Sequence, residues 1–234
     1  MPALVPVVES PDRLTAFWCP LPQKSTERWI RVGPEISNDD IALLVFQLAD
    51  YNKGNSAGPP LSPEAIVRHS RLLLPGGLAA LDGDTQIHPS CCCGLEGWRD
   101  WFRLLESGVS PWLGHDPDPW VEAKEGGFVV WPGADFGATF GPSGEMDGRG
   151  VAFSRDELHE ALDQVQSSLA GFVPRLVSWA ELHCPEVSSR LGNAFARNFR
   201  IHPRREQRSG SRGKPSVDGW IDRGIQFVKR FTRE

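Results

Sequence analysis

The chain has 234 residues, 40% of them hydrophobic and 24% charged, which is enough apolar material for one generous domain and too much for a disordered chain. Its formal charge of −5 is unevenly spread: residues 200–234 hold ten Lys/Arg and four Asp/Glu, a net of +6, leaving −11 on residues 1–199. An acidic body disfavours nonspecific nucleic-acid binding by that part of the chain, and no apolar run reaches the roughly 18 residues that a transmembrane helix needs.

The opening MPALVPVVESPDR lacks a charged segment followed by an apolar one, so no secretory leader is expected and the protein is expected to be cytoplasmic. Five cysteines, an odd number with three of them adjacent, agree with that compartment, because neighbouring cysteines pair with each other only under strain.

In chain order, TAFWCPLP at 15–22 and RWIRV at 28–32 read as two short strands, the first at a sheet edge because Pro20 and Pro22 cannot donate to a ladder. Ser37 can cap a helix over 41–51 with acidic residues at its positive end, although IALLVFQL is apolar enough for a buried strand. Ser62-Pro63-Glu64 starts a second helix, which the pattern extends through His69 towards Pro75. His69 reads as a surface or hydrogen-bonded residue rather than a ligand. GLAALDGDTQIHP reads as a hairpin turning at Asp82-Gly83.

Rare residue types then crowd into 89–120, PSCCCGLEGWRDWFRLLESGVSPWLGHDPDPW. The spacing of Leu95, Trp98, Trp101 and Leu105 predicts a short helix with an aromatic face, clamped onto a sheet and starting just after Cys91-Cys92-Cys93. Three readings of the cysteines stay open. Cys92 and a neighbour can be small buried residues at a tight junction, with Gly94 allowing close approach. A thiol at a helix N-terminus can become a nucleophile. For zinc, alternation of side chains lets at most two of the three face one ion, so Cys91 and Cys93 would have to meet His115, or Cys184, through the fold. The loop SPWLGHDPDPW is read either as a rigid plug or as a recognition loop in which Trp112, His115, Asp116 and Trp120 grip a protein partner.

Further on, 121–131 is a hairpin turning at Gly126-Gly127, and 132–150 is a glycine-rich loop around a short strand at 138–140. Ser154-Arg-Asp-Glu157 is a capping box that opens the longest helix, which Pro174 should kink or divide. Residues 186–234 read as a flexible basic tail, with an amphipathic segment from Trp220 to Phe231 that contacts an anionic surface or the acidic domain. No phosphate-binding, dinucleotide, HExxH or GxSxG motif is present.

LLLPGGL at 72–78, PSCCCGLEGWRDW at 89–101, SPWLGHDPDPWVE at 110–122 and the capped helix at 153–180 together resemble a group of bacterial proteins of unknown activity, chiefly from high-GC soil bacteria. The resemblance covers residues 70–182. It implies a compact bacterial protein and carries over no catalytic residues. Immunity proteins are the analogy of type that it suggests.

The expectation is therefore an α+β domain over 1–185, an antiparallel sheet packed against the aromatic-faced helix and one long helix, followed by a tail over 186–234. The leading function is non-catalytic binding of a protein partner, of immunity or regulatory type. The alternative is a zinc-binding or thiol-reactive site built on Cys91, Cys93 and His115.

Overall fold

A computed structural model describes residues 1–22, 27–54, 58–133 and 150–201, and these form two antiparallel sheets and five α-helices. Strand β1, Ala3–Glu9, lies between β2, Trp29–Arg31, and β3, Gly76–Asp82, and β4, Thr85–Ile87, completes the first sheet. A proline inside a central strand ordinarily removes a ladder bond. Here β2 pairs only with Val7, Val8 and Glu9, so the missing N–H of Pro6 falls where β2 has already ended, and the Pro6 carbonyl still accepts from Val32 N at 2.8 Å. Pro6 hid β1 from the sequence pattern.

The expected strand at 15–22 does not form. Its aromatic residues pack instead: Phe17 meets Phe46 edge-on at 5.2 Å, Trp18 meets Trp179 at 5.9 Å, and the Trp18 indole N–H donates to Leu61 O at 3.2 Å. With Pro20 and Pro22 unable to join a ladder, burying rings is the better use of that stretch.

Helix α1, Asn38–Tyr51, settles the ambiguity of IALLVFQL. Ser37 Oγ accepts from Asp40 N at 3.0 Å, and Asp39 and Asp40 lie in the first turn, where the helix dipole favours them. Residues 41–46, 48 and 49 are all buried, so the helix sits in the core on nearly every side and lacks the stripe that would have revealed it. Helix α2, Pro63–Arg68, is shorter than expected, because His69 takes an extended conformation at the C-cap.

The second sheet is β5, Trp120–Lys124, β6, Gly127–Trp131, and β7, Val151–Ser154, in that order. Lys124 pairs with Gly127, placing the turn at Glu125-Gly126. Ser154 ends β7 and caps α4, Arg155–His183: Ser154 N donates to Glu157 at 2.8 Å and Glu157 N donates back to Ser154 Oγ at 3.2 Å. Pro174 neither ends nor divides α4. The stripe of Leu158, Leu162, Val165, Leu169, Phe172, Leu176 and Trp179 is buried on both sides of it, and that burial outweighs the roughly 3 kcal/mol penalty of an interior proline.

The expected boundary at residue 185 is corrected. A 3-10 turn at Pro185–Val187 leads into α5, Ser188–Asn198, which folds back on α4 and buries Leu191 and Phe195, with Phe199 and Ile201 following. All four residues belong to the same hydrophobic core as both sheets. Helix α3, Asp100–Ser107, presents Trp101 and Leu104 to that core, and the Trp98 indole just before it donates to Phe199 O at 2.8 Å. The fold is thus α+β, with a long helix late in the chain and antiparallel sheets. The expected strand at 138–140 and the segment from Trp220 to Phe231 lie outside the described residues. Among the described residues, no helix is long and apolar enough to cross a membrane.

Candidate metal centre

Two loops meet at the cysteines. Pro75 pairs with Gly94 and Cys91 pairs with His115 in isolated antiparallel bridges, so the segment after β4 is held between the start of β3 and the Trp/Pro loop. Ser90 N donates to Leu113 O at 2.7 Å, Ser90 Oγ to His115 O at 2.7 Å, and His115 N to Cys91 O at 3.1 Å. Gly114 makes this approach feasible. Its φ is +100°, and a Cβ there would lie 2.6 Å from backbone atoms of Ser90 and Cys91.

Within this frame Cys93 N closes a turn on Ser90 O at 3.3 Å, with Cys92 at the third position and φ of +63°. That position normally goes to glycine or asparagine, since a side chain in the left-handed region costs on the order of 1 kcal/mol or more. The consequence is chemical. In an extended strand, 91 and 93 would share a side, but the left-handed residue breaks the alternation and sets Cys91 and Cys92 together. One ligand atom each of Cys91, Cys92 and His115 lies within 4.8 Å of the other two.

The geometry groups Cys92, rather than the expected Cys93, with Cys91 and His115. Cys93 is buried, its Sγ donates to Trp112 O at 3.5 Å, and a Cβ on Gly77 would stand 3.1 Å from it. Burial, with the Glu96 charge nearby, pushes its thiol up to about 12. The packing role given to Cys92 belongs to Cys93. Cys184, the other candidate ligand, is buried at the end of α4, where desolvation pushes it up to about 11.

The cysteines precede α3 by several residues and occupy a turn, so no helix N-terminus supports a thiolate there. Cys91 is held above the usual thiol range by partial loss of hydration, by the Cys92 thiol beside it and by the Asp116 carboxylate. Its sulfur lies 2.8 Å from His115 Nδ1 and 2.8 Å from His115 O. Asp116 Oδ2 stands 3.5 Å from the same Nδ1. Around these atoms Trp112 forms a wall, edge-on to His115 at 5.9 Å, with its indole N–H on Cys92 O at 3.3 Å, and it is 58% exposed.

Of the residues expected to grip a partner, the fold gathers Trp112, His115 and Asp116 in one place. Trp120 instead opens β5 opposite Trp131. Two other histidines are engaged elsewhere: His88 stacks on Trp29 at 5.2 Å, and His183 lies tilted against Trp179 at 4.6 Å. Cys92 was the residue that spacing missed, because nothing local marks a non-glycine residue for the left-handed region. No family model, curated protein or solved structure matches the chain.

Proposed function

We propose that Cys91, Cys92 and His115 bind a thiophilic divalent cation of the zinc class at the protein surface. The observation that carries the reading is the convergence of two sulfurs and one imidazole within 4.8 Å. Tetrahedral zinc holds such donors about 3.5–3.8 Å apart, so His115 Nδ1 and Cys91 Sγ, now 2.8 Å apart, would separate while the set stays within the 4.8 Å it already spans. Exposure supports the same choice. Free cysteine is among the most buried residue types, and two adjacent exposed ones serve no packing purpose. A cation would also offset the negative charge that two thiolates and Asp116 accumulate there. Three protein donors leave one position for solvent or for Asp116, the coordination of a site open to exchange or to a substrate.

The test is elemental mass spectrometry of the purified protein after equilibration with zinc and removal of the excess. About one zinc per chain is expected, lost in Cys92→Ser and His115→Ala and retained in Cys93→Ser, with circular dichroism confirming each fold. A metal-free wild type, or zinc retained in both ligand variants, overturns the reading.

The exposure of Trp112 favours a second reading, in which this loop grips a protein partner. Trp112→Ala should then lower partner recovery by tenfold or more while leaving the zinc content unchanged, about 1.4 kcal/mol or more of binding energy. Unchanged recovery from a folded variant makes Trp112 a wall of the metal site and nothing more.

A further inference from the structure

Cys91 and Cys92 are the exposed thiols among the five, whereas Cys19, Cys93 and Cys184 are buried. They are also adjacent in sequence and sit on one side of their turn, because Cys92 takes a φ of +63°. The surroundings fix this arrangement. The Cys91 bridge to His115 and the close approach of Gly114 hold the first cysteine, and the Trp112 indole on Cys92 O holds the second. A non-glycine residue kept in a sparsely populated conformation by its neighbours points to a use for what that conformation brings together. Here it brings together two sulfurs with solvent access.

We propose that Cys91 and Cys92 form a reversible dithiol–disulfide couple, a modification site for low-molecular-weight disulfides, whose oxidation releases the metal. One cysteine thiolate attacks a sulfur of R–S–S–R, that bond breaks, and the departing thiolate takes up the proton the cysteine gave up. The second cysteine then attacks the protein sulfur of the mixed disulfide, expelling a second thiolate, which is protonated in turn. The two cysteine thiols lose two hydrogens and two electrons, and the oxidant becomes two thiols. Metal coordination competes with this path, because it occupies the same sulfurs. Conversely, the disulfide removes two of the three donors, and one imidazole does not retain the ion.

The bond so formed is a labile one. Adjacent α-carbons across a trans peptide are about 3.8 Å apart, whereas an ordinary disulfide spans roughly 4.4–6.8 Å, so ring strain favours reduction. That property separates a regulatory disulfide from a structural one. The buried cysteines cannot substitute as partners, since Cys93 points away to Trp112 O.

The metal-release arm rests on the metal reading above, and the covalent arm does not. The reduced, zinc-equilibrated protein is incubated to equilibrium with glutathione disulfide, then alkylated and followed by intact mass, peptide mapping and a chromogenic zinc chelator. Expected are a loss of two hydrogen masses per chain, a linked peptide carrying Cys91 and Cys92, release of the zinc, and recovery of both on adding dithiothreitol. Cys92→Ser should stop at a glutathione adduct on Cys91. Stable adducts on the wild type, disulfide-linked dimers or an unchanged mass overturn the couple, and leave the metal reading standing if zinc is retained. The linked peptide in a protein that never bound zinc upholds the couple and removes the metal reading.

Discussion

Cys92 and Gly114 show how much a single φ angle can decide. With Cys92 in an extended conformation its thiol would face away from Cys91, and the two sulfurs could not serve one ion. With a side chain at Gly114, His115 could not lie against Cys91, since the added carbon would collide with the backbone of Ser90 and Cys91. Gly114→Ala is therefore expected to destabilise the protein by roughly 2 kcal/mol, from both the unfavourable φ and the collision, and to lower zinc affinity at least tenfold. Urea denaturation and a competitive zinc titration measure the two effects. Normal affinity in a destabilised but folded variant would detach His115 from the site. The sequence made the cysteines and His115 visible as candidates, because these residue types are rare and chemically able. It could not select Cys92 over Cys93, since alternation is the default rule and the exception is imposed by contacts with residues 112–115.

At the scale of elements, local signals were good where capping chemistry is local. Ser37, Ser62 and the Ser154-Glu157 box each start a helix as their residue types dictate. The signals misled where partners in space override them. Pro6 hid β1, Pro174 suggested a break in α4, and the aromatic run at 15–22 imitated a strand. Helix α5 was missed because the basic residues around it resemble the segment that follows, although Leu191, Ala194 and Phe195 mark its buried face. Phe195 meets Phe172 edge-on at 5.0 Å and lies tilted against Phe199 at 4.3 Å, and it is fully buried. Phe195→Ala is expected to cost about 3–5 kcal/mol, the loss typical of a core aromatic. A loss below about 1 kcal/mol in a urea titration would place α5 outside the cooperative core and restore the boundary at 185.

For the molecule as a whole, one hydrophobic core joins both sheets and the five helices of the described residues; Cys19 and Cys184 belong to it as neutral thiols, and Cys93 is buried outside it. Desolvation pushes Cys19 and Cys93 up to about 12 and Cys184 up to about 11, with Cys184 adding to the effect on Cys19. The sign of the pH dependence follows. Below the ordinary thiol value of 9.0 the three are protonated in the folded and unfolded chains alike, and they do not shift the balance. Above it the unfolded chain releases protons that the folded chain keeps, so stability falls as pH rises through the window from 9.0 to about 12. Denaturation midpoints measured across that window should decline steadily, and a flat profile would mean that these thiols are not sequestered.

Local chemistry was enough for the α+β class, the three serine-capped helix starts, the two hairpins and the shortlist of reactive residues. Each depends on periodicity, capping or turn chemistry within a few neighbouring residues. Tertiary structure alone decided that Pro6 lies in a strand between two others, that α5 belongs to the core, and that Cys91, Cys92 and His115 converge. Those outcomes depend on backbone pairings between segments far apart in the chain, Val8 with Gly76 and Cys91 with His115, which no local spacing records.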